Sequence, residues 1–265
     1  MEEKNTPRRP RRNTDEQPKA AKNESLVYGK NPVTELLKSG SGVDTVLLAE
    51  GMAPAVAAYY TAMAKEVGAA VKRVNPNKLR LMTGTDSHQG VAAFASEIEY
   101  VTVEDLLEAA KAKGEPPFLV LSDGIEDPHN LGAVMRSALL CGAHGIVIPK
   151  RGGASVTPTV IKSSAGAAER LPVARVANLV SAIRELQKAG VWVFGTAADG
   201  DTALYQADLK GPAAIVIGNE GDGMSRLVAE ACDFKVSIPM RGRISSLNAS
   251  NAAAILLYEA VRQRG

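Results

Sequence analysis

The stretch Ile238-Pro-Met-Arg-Gly-Arg-Ile-Ser-Ser-Leu-Asn-Ala-Ser-Asn-Ala252 lies near the C-terminus and combines two features that conflict. It leads into an apolar run, Ala253 to Val261, that predicts a buried helix. The start of a helix needs one polar cap, and Ser246 is the predicted cap. Asn248 and Ser250 beside it are poor interior helix residues, because their side chains compete for backbone hydrogen bonds. A local conflict of this kind indicates a functional site.

The composition limits the classes of protein to which the chain can belong. It has 265 residues, 45% of them hydrophobic, which is enough for one large domain or two ordinary ones. No apolar run is long enough to span a membrane, and we expect no secretory signal. Cys141 and Cys232 are the only cysteines, which predicts inert thiols and a cytoplasmic, reducing location. His88, His129 and His144 lack ligand spacing, so we expect no metal site.

The N-terminal segment, residues 1–24, carries the net charge of the chain. It holds seven basic and five acidic residues, and the difference equals the net charge of +2. Its polar, proline-containing composition predicts a disordered basic tail. The run Arg8-Arg9-Pro10-Arg11-Arg12 either adds non-specific affinity for a polyanion or only keeps the tail solvated.

The pattern of elements changes at Gly114-Glu115-Pro116-Pro117, which predicts a domain boundary. Residues 25–97 alternate short strands and helices, as in a small α/β domain, and residues 98–117 are predicted to be a linker. From Phe118 onward, uniformly apolar strands alternate with helices, which predicts a parallel sheet covered on both faces. Ligands of such sheets bind beyond the carboxyl ends of the strands. Three polar loops follow predicted strands: residues 195–197, residues 218–223 and the stretch that begins at Ile238.

The loop Gly218-Asn219-Glu220-Gly221-Asp222-Gly223 limits the ligand class. Its order is GxxGxG, whereas a dinucleotide-binding loop has the order GxGxxG. Two carboxylates inside the loop would repel a pyrophosphate, so we exclude NAD and nucleotide phosphates. A ligand with a cationic centre or hydroxyl donors fits better. Taken alone, the loop has a second and less favoured explanation as a glycine-rich turn that caps a helix.

Two polar residues near the first predicted parallel strand remain open to two interpretations. Asn130 ends a long polar loop and is either a helix cap or part of a site. Arg136 lies on the helix that follows, among mainly apolar residues. It is either solvated or directed at an anion, and the periodicity of the helix fits both.

Three segments together resemble the SpoU (TrmH) branch of the SPOUT RNA methyltransferases, and they occur in that family's order. They are residues 130–136, residues 217–224 and residues 238–250, and the likeness covers residues 118–265. Upstream, residues 28–33 and 88–91 resemble the substrate-binding domain of the RlmB type, which is similar to ribosomal protein L30e. The resemblance implies an α/β fold: a C-terminal SPOUT-type parallel sheet with a deep trefoil knot, and a small N-terminal L30e-like α/β domain. It also implies a homodimer.

The activity that the resemblance implies is S-adenosylmethionine-dependent 2′-O-methylation of a ribose in RNA. The favoured target is a guanosine of 23S rRNA, free or in a ribosomal precursor. An alternative is the tRNA guanosine-18 methyltransferase, although that type usually lacks the N-terminal domain. The alternative from another class is a non-catalytic RNA-binding or ribosome-assembly protein, against which the complete set of family residues argues. An α/β-hydrolase is excluded because the chain has no nucleophile elbow.

Carrying the family's positions over residue by residue gives the candidate sites. The predicted catalytic residues are Asn130, Arg136, Glu220, Ser246 and Asn248. The predicted S-adenosylmethionine contacts are Thr196, Gly218, Gly221, Ile238 and Leu247. Basic residues near the same loops are the predicted RNA contacts: Lys150, Arg151, Arg241 and Arg243. The family assigns Arg136 as the base, but a guanidinium very rarely gives up its proton in a protein. A phosphate clamp that also stabilises the developing alkoxide is the physically easier role.

Overall fold

The computed structural model of the chain describes residues 25–39, 42–242 and 246–265. The predicted disordered tail, residues 1–24, lies outside the described residues. The described residues form two units, each built on its own sheet. None of the described helices is both long and apolar enough to cross a membrane.

The N-terminal unit is a four-stranded sheet with the strand order β1-β4-β2-β3. β2 is parallel to β3 and antiparallel to β4, and β1 is antiparallel to β4. All seven residues of β2 are buried, because helices and neighbouring strands cover both of its faces. The elements are β1 (Leu26–Tyr28), α1 (Lys30–Lys38), β2 (Val43–Ala49), α2 (Pro54–Glu66), β3 (Ala70–Val74), α3 (Pro76–Thr83) and β4 (Val91–Ala95).

The C-terminal unit is an eight-stranded sheet in which every pairing is parallel. The strand order is β10-β12-β9-β11-β6-β7-β8-β5. The predicted C-terminal parallel sheet and small N-terminal α/β domain are therefore confirmed. The elements are β5 (Tyr100–Val101), α4 (Val103–Lys113), β6 (Phe118–Ser122), α5 (Pro128–Leu140), β7 (Gly145–Pro149), α6 (Pro158–Ser163), β8 (Val173–Val176), α7 (Leu179–Lys188), β9 (Trp192–Thr196), β10 (Thr202–Ala203), β11 (Ala213–Ile217), α8 (Arg226–Ala231), β12 (Phe234–Ser237) and α9 (Ala249–Arg264).

Both faces of the parallel sheet are buried, as the uniformly apolar strands predict. Along β6, Phe118 and Val120 belong to one hydrophobic cluster, and Leu119 and Leu121 belong to another. The first cluster contains the inner faces of α5 and α9, and the second contains those of α4, α7 and α8. Successive side chains of one strand therefore pack against two different helix layers, one on each face of the sheet.

The strand order of the sheet reverses at β6, and this reversal positions the site. β7 and β8 lie on one side of β6, whereas β11 and β9 lie on the other. The loops that follow β6 and β11 then face each other, in the arrangement that opens a ligand crevice in such sheets. Two hydrogen bonds hold these loops together. The Asp123 amide donates to the carbonyl of Ile217 at 2.9 Å, and Asn219 Nδ2 donates to the carbonyl of Gly124 at 2.8 Å.

The start of α9 corrects one prediction. The helix begins at Ala249, and its cap is Asn248, whose Oδ1 accepts a hydrogen bond from the Ser250 amide at 2.9 Å. Ser246 lies two residues earlier, outside the first turn. Asn248 is therefore favourable to the helix, because it supplies the one polar cap that the helix needs.

Residues 98–117, predicted as a linker, form part of the C-terminal unit. Tyr100–Val101 is the edge strand β5, which pairs with β8. Helix α4 has a complete capping box at Thr102 and Asp105, and Leu106 is fully buried under the sheet. A capped helix with a buried side chain cannot act as a free connection.

His144 gives the fold a measurable pH dependence. Its buried ring accepts a hydrogen bond from the Phe118 amide at Nδ1, 3.1 Å, and Nε2 lies 3.1 Å from Glu115 Oε2. Burial, with a contribution from Lys113, lowers the pKa of His144 below its ordinary value of 6.5. In that case the unfolded chain binds the proton more readily than the folded chain does. The contribution of His144 to the free energy of unfolding is therefore fully present above about pH 6.5. It is lost as the pH falls towards the pKa of His144 in the folded state.

We therefore expect His144→Gln to reduce the fall in unfolding free energy between about pH 7 and 5. The measurement is urea denaturation of both proteins across that range. His129→Gln, at an exposed position, is the control and should keep the wild-type pH dependence. Equal pH dependence in wild type and His144→Gln would contradict this account.

Candidate active site

A cleft lies beyond the carboxyl ends of β9, β11 and β12. Its volume is about 470 Å³, within the ~300–1,000 Å³ typical of small-molecule sites. Its walls are mainly apolar, with several polar groups in the loops. The lining comes from residues 196–199, residues 217–224, Ala229 on α8, residues 235–240, and residues 246–256, which lead into α9.

The sequence-predicted cofactor positions meet in this cleft. All of them line it: Thr196, Gly218, Gly221, Ile238 and Leu247. Thr196 Oγ1 donates to the carbonyl of Val216 at 2.8 Å, which ties the end of β9 to β11. The predicted catalytic residues Glu220 and Ser246 also line the cleft.

The loop after β11 is a tight turn that only glycine permits at its first position. The Asn219 and Gly223 backbones exchange hydrogen bonds at 2.9 and 3.0 Å. Asn219 Oδ1 accepts from the Gly221 amide at 2.7 Å, so the turn is held from inside as well. A Cβ atom on Gly218 would collide with the backbone of Gly223 and Met224. Gly218 is therefore required by close backbone approach and not by its φ angle.

Three of the predicted catalytic residues form one line of hydrogen bonds at the rim of the cleft. Asn130 Nδ2 donates to Glu220 Oε1, and Asn248 Nδ2 donates to Asn130 Oδ1 at 3.0 Å. Asn248 Oδ1 meanwhile caps α9 by accepting from Ser250. The line joins the first turn of α5, the loop after β11 and the N-terminus of α9. Residues 90 and 118 positions apart in the sequence are thus in direct contact.

Arg136 does not join this group within one chain. It is exposed on α5 and forms no hydrogen bond or ion pair with the described part of the chain. It lies six positions after Asn130, which places the two side chains about 120° apart around the helix. The structure therefore separates Arg136 from the other four predicted catalytic residues.

The predicted RNA contacts lie on loops that follow strands of the C-terminal sheet, except for one that the structure does not describe. Arg151 and Arg241 are exposed on the loops after β7 and β12. Lys150 is half-buried, and its ammonium group lies against Gly68 of the N-terminal unit. Arg243 lies outside the described residues.

Sequence reasoning missed two residues that shape the site. Asp123 is buried directly after β6, and its Oδ2 accepts a hydrogen bond from the Ser225 amide at 2.7 Å. Met224 lies in the cleft wall and packs so closely on Gly195 that a Cβ there would lie 2.7 Å from its methyl group. The signal for Asp123 was a carboxylate at the very end of an apolar strand, where a buried charge needs a specific partner.

The arrangement suits a ligand that is partly apolar and partly cationic. Ile217, Ile238 and Leu256 give the cleft apolar walls. The carboxylates of Asp199, Glu220 and Asp222 lie on the same lining, and Lys235 is the one cationic residue of that lining within the described part of the chain. Carboxylates attract a positive centre and repel a phosphate, as the order of the glycine-rich loop predicts.

Comparison with known proteins agrees with this geometry. The SpoU rRNA Methylase family matches residues 117–258, and the family described as RNA 2′-O ribose methyltransferase substrate binding matches residues 26–101. The 23S rRNA (guanosine-2′-O-)-methyltransferase RlmB of Shewanella oneidensis is 42% identical over 244 residues, which are 92% of this chain and 99% of that protein. An uncharacterized tRNA/rRNA methyltransferase of Mycobacterium sp. (strain KMS) is 43% identical over 258 residues, 97% of this chain and 80% of that one.

Solved structures agree as well. The SpoU methyltransferase AviRb from Streptomyces viridochromogenes, in complex with the cofactor AdoMet, superimposes with a TM-score of 0.57 at 31% identity. The match covers 90% of each chain. The family match, the relatives of nearly full length and the common fold show that this chain belongs to the SpoU rRNA methylase family.

Proposed function

We propose that the protein transfers a methyl group from S-adenosylmethionine to a ribose 2′-hydroxyl of RNA, at a guanosine of 23S rRNA. The observation that carries the proposal is the cleft with Asn130, Glu220 and Asn248 joined at its rim. The full-length likeness to the Shewanella 23S rRNA enzyme supports the guanosine target. The name of the Mycobacterium relative covers both tRNA and rRNA, so tRNA remains the second candidate.

The residues that line the cleft fit S-adenosylmethionine. This cofactor supplies an electrophilic methyl group on a positively charged sulfur. Ile238 and Leu247 would hold its adenine ring by apolar contact. The backbone at Gly218 and Gly221 would bind its polar groups, and Glu220 would offset the positive charge.

The residues at the rim fit the activation of a ribose hydroxyl. A hydroxyl is a poor nucleophile until its proton moves, so the site must accept a proton or stabilise an oxyanion. Asn130 engages one oxygen of Glu220 and leaves Oε2 available to a hydroxyl donor. Ser246 and the N-terminus of α9 offer donors and partial positive charge to a developing oxyanion. Arg136 would bind the phosphate and stabilise the alkoxide.

We also propose a homodimer that brings Arg136 to the site. α5 and α9 pack side by side, and their outer faces expose Leu140 (76%), Ile255 (42%) and Tyr258 (68%). Large apolar side chains on adjacent helices are characteristic of a self-complementary interface. Arg136 is one turn from Leu140 on the same helix, so a partner bound at this face would cover Arg136.

A trefoil knot in the C-terminal unit is part of the same proposal. Between β12 and α9, the described residues Ile238, Met240, Ser246 and Leu247 line the cleft. α9 packs back on α5 and contacts β11, which are much earlier in the chain. This return supports the threading that the family resemblance implies.

We propose a cytoplasmic location for the protein, together with its rRNA substrate. Burial raises the pKa of the Cys232 thiol to about 12. Its Sγ donates to the carbonyl of Val228 at 3.2 Å, so the thiol is protonated and unreactive at neutral pH. Two unpaired, half-buried cysteines agree with a reducing compartment.

The direct test of the function is transfer of a radiolabelled methyl group from S-adenosylmethionine to RNA. We expect label in a 23S rRNA transcript and none in tRNA, with nuclease mapping to the ribose of a guanosine. Arg136→Ala should lower the rate by about 100–1,000-fold, because a stabiliser of the developing charge is lost. Its affinity for S-adenosylmethionine, measured by calorimetry, should stay within about two-fold of wild type.

Arg184→Ala, on the exposed side of α7, is the matched control and should keep the wild-type rate. Label in tRNA alone would favour the tRNA enzyme, and label in neither RNA would favour a non-catalytic RNA-binding protein. Full turnover by Arg136→Ala would exclude both roles proposed for that residue.

A second prediction concerns Gly218. Gly218→Ala should weaken S-adenosylmethionine binding by at least about ten-fold, because the added methyl group displaces the Gly223–Met224 backbone. Calorimetric titration measures this effect. Gly211→Ala is the control, since a Cβ at Gly211 meets no atom within 4 Å. Unchanged affinity in Gly218→Ala would mean that the loop does not bind the cofactor.

The third prediction concerns the dimer. Light scattering should give the mass of a dimer for the wild type and of a monomer for Leu140→Asp with Tyr258→Asp, because two buried charges oppose association. Tyr205→Asp changes an equally exposed tyrosine (64%) outside α5 and α9 and should stay dimeric. A monomeric wild type would refute the proposed interface.

Mixing two inactive variants tests whether Arg136 acts across the interface. A mixed dimer of Arg136→Ala and Glu220→Ala then contains one site with both native residues. A refolded equal mixture should regain about a quarter of wild-type activity, since half of the dimers are mixed and each has one intact site. No recovery would place Arg136 and Glu220 in the same subunit's site.

A further inference from the structure

Within the described residues, the two units share no hydrophobic cluster. Two hydrophobic clusters of described residues lie within residues 26–94, and the other two lie within residues 98–260. Units joined in this way are expected to move relative to each other unless specific contacts hold them. The contacts at this boundary between the two units, which we call the seam, therefore decide the orientation of the N-terminal, substrate-binding unit.

One buried ion pair spans the seam. Arg175 on β8 donates from Nη1 to Asp44 Oδ1 at 2.9 Å, and from Nη2 to the Asp44 carbonyl at 2.6 Å. The side chains of Arg175 and Asp44 are only 3% and 6% exposed. We call this contact the Arg175–Asp44 bridge. Two bonds from one planar guanidinium fix both distance and direction, which a lysine could not do.

The backbone of β2 is shaped to make this bridge. Val43 pairs with Ala95 and Thr45 pairs with Phe94, so Asp44 is the additional residue of a β-bulge. A bulge interrupts the ladder and redirects a side chain. The Asp44 carbonyl is thereby available to Arg175, and Nη1 of Arg175 also reaches the Val43 carbonyl at 3.4 Å.

Tyr100 completes the bridge from the C-terminal side. Its hydroxyl donates to Asp44 Oδ1 at 2.7 Å, and the Arg175 guanidinium lies 5.1 Å from the centre of its ring. β5 pairs Tyr100 with Val173, two residues before Arg175, so the tyrosine and the arginine share one face of the sheet. Burial raises the pKa of the Asp44 carboxyl, and Tyr100 and Arg175 oppose that rise.

The bridge lies at the same end of the sheet as the cleft. Arg175 is next to the last residue of β8, and Lys150 directly follows β7. The Lys150 amide donates to the Val176 carbonyl at 2.8 Å, and its ammonium lies against Gly68 just beyond α2. The N-terminal unit is thus seated beyond the carboxyl ends of β7 and β8, and the cleft opens beyond those of β11, β9 and β12.

We propose that Arg175, Asp44 and Tyr100 are positioning residues, which hold the substrate-binding unit at a fixed distance and angle from the cleft. This inference rests on the proposed function. An RNA that binds both units then pays no cost for ordering them, so its affinity is higher. The bridge selects a folded RNA whose two contact regions have the matching separation. It has no part in binding S-adenosylmethionine or in methyl transfer itself.

The test uses the full chain with Asp44→Asn, Arg175→Gln and Tyr100→Phe. We expect Asp44→Asn and Arg175→Gln to raise the KM for 23S rRNA at least about ten-fold. The kcat and the affinity for S-adenosylmethionine should stay within about two-fold. Small-angle X-ray scattering should show a larger maximum dimension than in the wild type. Glu108→Gln is the control, because it removes an exposed ion pair within α4, 3.1 Å long, and should change nothing.

Tyr100→Phe removes one hydroxyl and keeps the ring, so it should shift the KM less but in the same direction. If the charge variants fail to fold, the KM of Tyr100→Phe decides whether the bridge positions the N-terminal unit. Unchanged KM and an unchanged maximum dimension would overturn the proposal, and so would a joint fall of kcat and cofactor affinity, which indicates general damage. Scattering needs no activity, so it tests the bridge even if the wild type methylates no RNA.

Discussion

Three segments that are far apart in the sequence meet through one line of side-chain hydrogen bonds, from Asn248 to Asn130 to Glu220. Each asparagine uses its oxygen and its nitrogen for different partners, so each orients the next. Asn248 caps α9 with its oxygen while its nitrogen holds Asn130. The direction of the last helix, the first turn of α5 and the carboxylate of the loop after β11 are consequently coupled. The shape of the cleft depends on this coupling.

The loop after β11 contributes both shape and charge to the site. Gly218 permits the backbone to approach itself so closely that Asn219 and Gly223 close a turn. The turn presents Glu220 and Asp222 to a cleft with apolar walls. A positive centre is attracted there and a phosphate is repelled, because the described lining holds three carboxylates, with Asp199, and a single cation, Lys235. The same loop therefore excludes nucleotide phosphates and favours a sulfonium.

The interactions that stabilise each unit differ from the interactions that join the two units. Each has its own apolar core, whereas the contacts described between them include a buried ion pair, a tyrosine hydroxyl and the ammonium of Lys150. Hydrophobic burial is non-directional, but a guanidinium with two bonds to one residue defines an angle. An enzyme that must present a large, folded RNA to a small cleft benefits from such a defined angle.

The sequence by itself determined the parallel sheet, the small N-terminal domain and most of the cleft. β6, β7 and β11 are the apolar parallel strands expected from Phe118 onward, because continuous apolar runs mark strands that are buried on both faces. The two- and three-residue strands β1, β5 and β10 have no such apolar run, since edge strands this short exist only through their partners. Only the tertiary structure decided that Asn248 caps α9, that Arg136 is separated from the other rim residues, and that Asp44 meets Arg175. These outcomes depend on which distant segments approach each other, and local patterns carry no information on that approach.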